Sequence, residues 1–575
     1  MGGRVDGAVS RTRPPRVLTP WPAVWSTGWA AVLAVVLLGG ALGPGYVLTY
    51  DMVWVPDLAL GRDVLGLGSA LPRAIPSDAA VAALDEVLGG ALLQKLVLVG
   101  TLTAAGAGFG ALVRDRTTAA QLVAVTVGVW NPFVVERLVL GHWPLLIGYA
   151  VLPWLVVTLR DADRSRFPAL LPLLLVLGSL SASAGLATAV VALAVAGRGG
   201  VRRTALLVAC VIGANAPWIV AGLTSPAVSA SDPGGALVFA TGDEGLMAGP
   251  LAALSFGGVW NAEVVPASRL GIAGLVMTLL LVAAVAAGAV RVVRGERIPR
   301  LGALAVCWCV GWGLAVLSWA APEALGWLGE HVPGGGLVRD GSRLLGLAVP
   351  LLVVLVAAAV DGLVVRLPDR ATAVLVGGVL ALLPVALMPD AVWGVGGQLD
   401  AVAYPPSYDR AREAVADVPP GDAVSLPFES YRAPAWNDGR RVLDPLGRSL
   451  SRTAVVNDVL VVSGRRLAGE DPRSAAVAEA LEASTPEARA TALREAGVSV
   501  VVVEEIVGYP VPEVAGETLL DDDLTVIGLG EAAAPDVPGA RMAAVLAAWA
   551  AWLAVLLLAP LIVLVRRRKP LVTRQ

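Results

Sequence analysis

The stretch Tyr50-Asp51-Met52-Val53-Trp54-Val55-Pro56-Asp57 follows the first long apolar run of the chain. A carboxylate there lies at a bilayer boundary, among aromatic and apolar neighbours that resist full hydration. Desolvation raises a carboxylate's pKa, which suits a proton acceptor. The same position suits an interfacial loop residue that caps a helix end. Both readings stay open on these residues alone.

A second group lies in Trp130-Asn131-Pro132-Phe133-Val134-Val135-Glu136-Arg137-Leu138-Val139-Leu140-Gly141-His142-Trp143. This run joins two apolar segments through a very short connection, so Glu136, Arg137 and His142 fall near the membrane boundary. Asn131-Pro132 predicts a break or kink in the helix. Charge near the span centre costs about 2.5–3.5 kcal/mol and less towards the interface, and polar partners lower that cost. A structural ion pair would meet the same need. The third group, Arg339-Asp340-Gly341-Ser342-Arg343, stands directly before an apolar run. Two arginines at that helix start oppose the positive-inside tendency and the helix dipole, so an anion is expected beside them. The planar fork of arginine suits phosphate, as in a lipid-linked phosphate at this depth. Pairing with Asp340 or with acids of a soluble domain would also compensate. On topology, Lys95 and Arg73 can join the same anionic site.

The elements that must position these residues are membrane helices. The 575 residues are 56% hydrophobic and 15% charged, with a mean hydropathy of +0.74. A soluble protein of this size carries about a quarter charged residues. Runs long enough to span occur at 28–48, 92–112, 117–134, 143–159, 167–180, 184–197, 204–222, 269–290, 301–321, 342–361, 371–389 and 541–565. The basic short loops at 114–116, 160–166, 198–203, 291–300, 366–370 and 566–569 share one side with the N-terminus only if 167–197 crosses twice, turning near Ser179–Gly185. The expectation is an all-α polytopic membrane protein of about twelve spans in the plasma membrane, with both termini cytoplasmic. The first run follows a basic, polar start without a small-residue cleavage pattern, so it is expected to be retained.

Residues 1–27 then form a cytoplasmic tail, 28–389 the membrane domain with outer loops 49–91, 223–268 and 322–341, and 541–575 the last span and a basic tail. Apolar residues 65–84 of the first loop are expected to lie on the membrane surface as interfacial helices. Residues 390–540 carry 25 Asp and Glu against 12 Arg, a net charge of −13; with −3 for the whole chain, the remainder carries +10. That segment reads as a small extracytoplasmic α/β domain before the last helix. Residues 408–418 are helix-like, and 423–428 form a short strand. Thr485-Pro486 starts a helix that Gly497 ends, and 498–505 form a buried strand.

No glycine-rich loop precedes a helix as a phosphate cradle, so nucleotide binding has little support. Nothing points to nucleic acid. The spans hold almost no acids or bases at mid-depth, which argues against an ion-coupled pump. Cys210, Cys307 and Cys309 lie in apolar runs and read as packing residues.

With an acid in the first outer loop, a basic outer patch and a C-terminal outer domain, the layout resembles the GT-C glycosyltransferase superfamily. The runs Leu48-Thr49-Tyr50-Asp51-Met52-Val53, Asn131-Pro132-Phe133-Val134-Val135-Glu136-Arg137 and Arg339-Asp340-Gly341-Ser342-Arg343 also look like those of actinobacterial membrane proteins. The resemblance implies transfer of a sugar from a polyprenyl-phosphate donor to a cell-envelope glycan or lipid acceptor, on the extracytoplasmic face and in contact with membrane lipid. It makes Asp51 the general base, and Glu136 or Asp57 the residue that orients the acceptor or a divalent cation. Arg137, Arg339 and Arg343, joined by Lys95, would hold the donor phosphate, and His142 is a further proton-transfer candidate. No metal-ligand spacing requires a metal. Two other classes fit the same layout. One is a non-catalytic envelope-assembly or glycan-binding protein, and the other is a flippase or transporter for lipid-linked saccharide.

Overall fold

The computed structural model describes residues 21–163, 166–197, 200–227, 232–533 and 536–567. The tail up to residue 20 and the end of the basic tail from 568 lie outside the described residues. Ten described helices are long and apolar enough to span a membrane: Val24–Leu42, Gly90–Leu112, Thr118–Val139, Trp143–Asp161, Val201–Thr224, Ile272–Val293, Leu301–Ala320, Gly341–Val364, Arg370–Leu387 and Gly539–Val565. The chain is a multi-pass membrane protein. The region expected to cross twice holds two shorter helices, Leu171–Leu177 and Ala182–Ala196. At 1.5 Å per residue these are about 10 and about 22 Å long, short of the roughly 30 Å hydrocarbon core. Their turn lies against the first third of Trp143–Asp161, where a Cβ on Gly148 would meet Ala184. The second helix ends beside Arg300. The pair therefore enters and leaves at one end of the bundle, which preserves the parity that two crossings would give.

The expected break at Asn131-Pro132 is present, and one side chain accounts for both of its edges. Helix Thr118–Val129 stops at Trp130, and Asn131 caps the next helix, Pro132–Val139, by accepting from the Val134 N–H at 3.1 Å. Its amide donates back to the Val127 carbonyl at 2.9 Å. Groups orphaned by the break are thus satisfied on each side, and Pro132 at the first helical position loses no bond.

The sheet-containing domain near the C-terminus is built on five strands: β1 Asp422–Leu426, β2 Ala454–Val455, β3 Val498–Glu504, β4 Glu517–Asp521 and β5 Leu524–Gly528. Their order is β4-β5-β3-β1-β2, with β1 parallel to β2 and β3, and β5 antiparallel to β3 and β4. Helix Ser407–Ala416 packs on one face, through Tyr408, Ala411 and Val415 against Val500 and Val502. Helices Pro472–Leu481 and Pro486–Glu495 supply Val477 and Leu493 to the other. Thr485 caps Pro486–Glu495 by accepting from the Ala488 N–H, and Gly497, at φ +84°, ends it. These are the signals the sequence carries there.

The domain docks on one end of the bundle through ion pairs with loop 49–91. Arg62 meets Asp422, Arg73 meets Glu470 and Arg448 meets Asp78, each at 2.8 Å. This loop holds helices Arg62–Leu65 and Ser77–Leu88 and is the seat of the domain. The basic loops gather at the opposite end, where Arg116 and Arg291 converge on Glu296 and Arg114 meets Asp161.

Candidate active site

Two short segments and one ribbon set the position of Asp51. Thr49 Oγ1 donates to the Val139 carbonyl at 3.0 Å, and the Asp51 N–H to that of Leu140 at 3.1 Å. Gly141 has φ +78°, and a Cβ there would stand 2.0 Å from the Met52 nitrogen. Only glycine permits this approach of the two backbones. The intervening Tyr50 is bonded to the domain instead. Its N–H donates to the Arg441 carbonyl at 2.8 Å, and its carbonyl accepts from the Leu443 N–H at 2.9 Å. Tyr50 is held at φ +43°, a left-handed conformation rare for a non-glycine residue. Val442–Leu443 pairs in turn with Tyr431–Arg432, so a ribbon of the domain lies over residue 51.

From Asp51 a hydrogen-bonded chain runs into the bundle. Tyr431 donates its hydroxyl to Asp51 Oδ1, and His142 Nε2 lies 3.2 Å from Oδ2. His142 Nδ1 lies 3.3 Å from Arg137 Nη1. A guanidinium only donates, so Nδ1 is the acceptor and Nε2 carries the proton. The imidazole is therefore neutral, with both nitrogens engaged. Burial and the Arg343 and Arg137 charges push its pKa down, outweighing the pull of Asp51. Arg137 is buried and forks onto Asp340 at 3.1 and 3.4 Å, with Ser342 Oγ at 2.5 Å. Arg343 reaches the same carboxylate at 3.2 Å. Burial opposes ionisation of Asp340, but Arg137, Arg343 and Ser342 together hold it far below the usual carboxylate range.

The expected rise in the Asp51 pKa is not found. Burial pushes it up, but the hydrogen bonds from His142 and Tyr431 and the Arg343 charge carry it below its ordinary value. Asp51 is nonetheless accessible, its side chain 41% exposed. It is an ionised carboxylate at the mouth of the site, with neutral donors around it.

On one flank stand three arginines. Arg73 and Arg339 share Glu470, at 2.8 and 3.9 Å, and the Arg339 guanidinium lies 4.8 Å from the Phe239 ring centre. Burial and the Arg73 charge lower the Arg339 pKa to about 10. Arg343 acts electrostatically on both Asp51 and Tyr431, and Arg73 on Tyr431. The anion expected for the two arginines of 339–343 is therefore met partly by Asp340 and partly by Glu470 of the domain.

Asp51, His142, Arg137, Arg343 and Arg339 thus come together, and three other candidates do not. Glu136 is buried beside Glu244 and Arg269, away from Asp51. Asp57 pairs with Arg412 of the domain at 2.5 Å. Lys95, one turn into Gly90–Leu112, lies 3.4 Å from Gln94 and forms no ion pair among the described residues. The sequence reading missed Tyr431, Glu470, Glu263 and Arg441, which reach the site from other parts of the chain. Glu263 accepts from the Tyr50 hydroxyl and pairs with Arg441 at 3.2 Å. As for a divalent cation, no group of three or more acids, histidines or cysteines among the described residues could hold one, Asp57 is turned to Arg412 and both imidazole nitrogens of His142 are engaged.

No protein-family model and no curated protein matches the chain. Solved structures do. The cryo-EM structure of arabinofuranosyltransferase AftD from Mycobacteria superposes with a TM-score of 0.54 at 19% identity, over 89% of this chain and 40% of that one. Two classes of a single-residue mutant of AftD superpose with a TM-score of 0.50 each, at 19% and 17% identity, over 90% and 89% of this chain and 42% and 41% of theirs. The chain spans about two fifths of the length of these structures. At this identity the likeness shows the fold alone, one shared with the matched part of AftD.

Proposed function

We propose that the chain is a membrane glycosyltransferase that moves a sugar from a polyprenyl-phosphate donor to a cell-envelope acceptor on the extracytoplasmic face. The observation that carries this reading is the accessible, ionised Asp51, fixed by His142 and Tyr431 in the field of Arg343, with Arg339 and Arg73 gathered on Glu470. In the reaction an acceptor hydroxyl oxygen attacks the anomeric carbon as the bond from that carbon to the phosphate oxygen breaks. The hydroxyl proton passes to Asp51, and polyprenyl phosphate leaves with the bonding pair. A base held in hydrogen-bond reach of the hydroxyl contributes about 10²–10⁴-fold. Arg339, Arg343 and Arg73 stabilise the charge that grows on the departing phosphate, where preorganised cations act most strongly. His142 keeps the second Asp51 oxygen engaged, so the carboxylate points one way. Arg137 fixes the imidazole and, through Asp340, Arg343.

The distribution of charge supports the orientation. The acidic domain and the site share one end, and the basic loops gather at the other. Helix Trp21–Leu38 runs towards the site end and Gly539–Arg567 away from it, which supports a cytoplasmic start for the first and a cytoplasmic end for the last. AftD is an arabinofuranosyltransferase, which makes a polyprenyl-phosphate pentofuranose the first donor to test.

The test is turnover by purified protein in lipid nanodiscs. Wild type is expected to release polyprenyl phosphate and to form a new glycosidic bond, and Asp51→Asn to do neither while keeping its thermal midpoint. Equal product from both proteins removes Asp51 as base. Transport of labelled donor across vesicles without a new bond assigns the chain to the flippases.

A further inference from the structure

A second group of residues around Asp51 is built on tyrosines, and the reading of Asp51 as base leaves it unexplained. Tyr50 and Tyr431 stand edge to face there, their ring centres 6.3 Å apart. Each directs its hydroxyl to a carboxylate, Tyr431 to Asp51 and Tyr50 to Glu263. Glu263 also binds Arg441, and the two side chains are 60% and 54% exposed. Glu263 follows the bundle loop through Trp260 and Asn261, whereas Arg441 belongs to the domain ribbon, so the pair bridges the seam.

An exposed ion pair contributes little to stability, a median of about 0–1 kcal/mol. That is a poor return for holding Tyr50 in a left-handed conformation, which costs on the order of 1–3 kcal/mol and clusters at functional sites. The charges differ too. The arginine group carries three guanidiniums with two carboxylates, Glu470 and Asp340, and Asp340 is shared with Arg137. In the tyrosine group Glu263 and Arg441 cancel.

We propose that Tyr50, Tyr431, Glu263 and Arg441 wall the acceptor subsite, and that its ligand is an uncharged, hydroxyl-rich chain, a saccharide. The inference rests on Asp51 being the base. A carboxylate and a guanidinium at 3.2 Å offer one acceptor and one planar donor to neighbouring hydroxyls, and the tyrosine faces take the apolar side of a sugar ring. Tyr431 and His142 each occupy one acceptor site on the two Asp51 oxygens, which leaves acceptor sites on the carboxylate for an entering hydroxyl. The three arginines remain for the donor phosphate.

The experiment compares full-length wild type with Glu263→Gln and Tyr50→Phe in nanodiscs, using a neutral octyl-linked disaccharide as acceptor. Losing one hydrogen bond to a charged group is expected to raise the acceptor KM about tenfold in Glu263→Gln, with the donor KM and the thermal midpoint unchanged. Tyr50→Phe is expected to give a smaller rise of the same kind. An equal change in donor KM, no change in either, or use of an anionic lipid acceptor in place of the disaccharide overturns the subsite. Should wild type transfer nothing, the base reading falls first, and saturation-transfer NMR with the same disaccharide decides the subsite alone. Binding lost in Glu263→Gln and kept in Asp51→Asn supports it. Absent binding, or binding indifferent to Glu263, removes it.

Discussion

Glu136 and Arg137 are consecutive on the short helix Pro132–Val139, and a step of about 100° per residue sends them to different clusters. Arg137 feeds a chain of groups that ends at the accessible Asp51. Glu136 lies in a sealed one. There Arg269 and Glu244, both fully buried, meet at 2.7 Å, and Arg269 also donates to Ser255 at 2.9 Å. Glu244 accepts the Gly258 N–H as well. Every partner in the sealed cluster is internal, so its charges hold the loop around residues 241–258 to the bundle. Acids and arginines are closed off in one place and open to the exterior in the other, and under the proposed function that access is what lets the second cluster serve chemistry.

Asp51→Asn probes the open cluster hardest. It is expected to cut transfer by about 10²–10⁴-fold with little change in unfolding, because a neutral amide still accepts from Tyr431 and, at this partly exposed position, water can take the His142 N–H that faces the new amide NH2. Steady-state turnover and a thermal melt check the two halves of that statement. Arg269→Ala probes the sealed one. Removing one partner of a buried pair costs about 3–5 kcal/mol, because Glu244 and Glu136 stay behind without their cation. A drop in the melting temperature in the same detergent measures it. If Arg269→Ala melts like wild type, or Asp51→Asn unfolds, the contrast between the clusters collapses.

Gly141→Ala sits between these in effect. Its φ of +78° disfavours any side chain, and the new Cβ would collide with the Met52 backbone. The expected cost is about 1–3 kcal/mol, with a loss of transfer because Asp51 and His142 hang on opposite sides of that contact. Kinetics and melts together test it, since a variant that loses stability alone would separate the glycine from the site.

The pH behaviour sharpens the comparison further. The folded pKa of Asp51 is lowered, so its stabilising contribution is complete above its ordinary value and is lost as pH falls through the folded one. Transfer is accordingly expected to show no acid limb from Asp51 between pH 7 and the ordinary carboxylate range. His142 also has a lowered pKa, as a group kept neutral in the folded state. The unfolded chain therefore takes up its proton first, and stability falls as pH drops below about 6.5. A melting series from pH 8 to 5 measures this slope, which His142→Gln should flatten.

Local signals carried much of the architecture. The break at Asn131-Pro132, the cap at Thr485 and the stop at Gly497 depend on neighbours within a few residues, and each element begins or ends where those residues stand. Two legible runs also meet, because Asp51 and His142 each follow a span and reach the same end of the bundle. Tyr431 carries no comparable mark. Its role comes from a ribbon 380 residues away in the chain from Asp51. Glu470 likewise reads as one acid among many in an acidic domain, and only docking places it between Arg73 and Arg339. The direction of the Asp51 pKa is hidden from the sequence for the same reason. Desolvation is visible in a run of apolar neighbours, whereas the donors that outweigh it come from elsewhere.

Asp57 is the mildest test of whether proximity in sequence to Asp51 means anything. It lies six residues on and could serve as a second catalytic carboxylate, but its side chain, 54% exposed, is turned to Arg412 of the domain. Arg412 also donates to the Asp57 and Ser449 carbonyls at 2.7 and 2.8 Å, so it stays anchored when the carboxylate is removed. Asp57→Asn is therefore expected to cost less than about 1 kcal/mol and to leave kcat and both KM values within about twofold. A loss of transfer on the scale of Asp51→Asn would move the base, or a partner of the base, out of the Tyr431–His142 cluster. Unchanged kinetics would confine the chemistry to the carboxylate that the Val139–Gly141 segment holds in place.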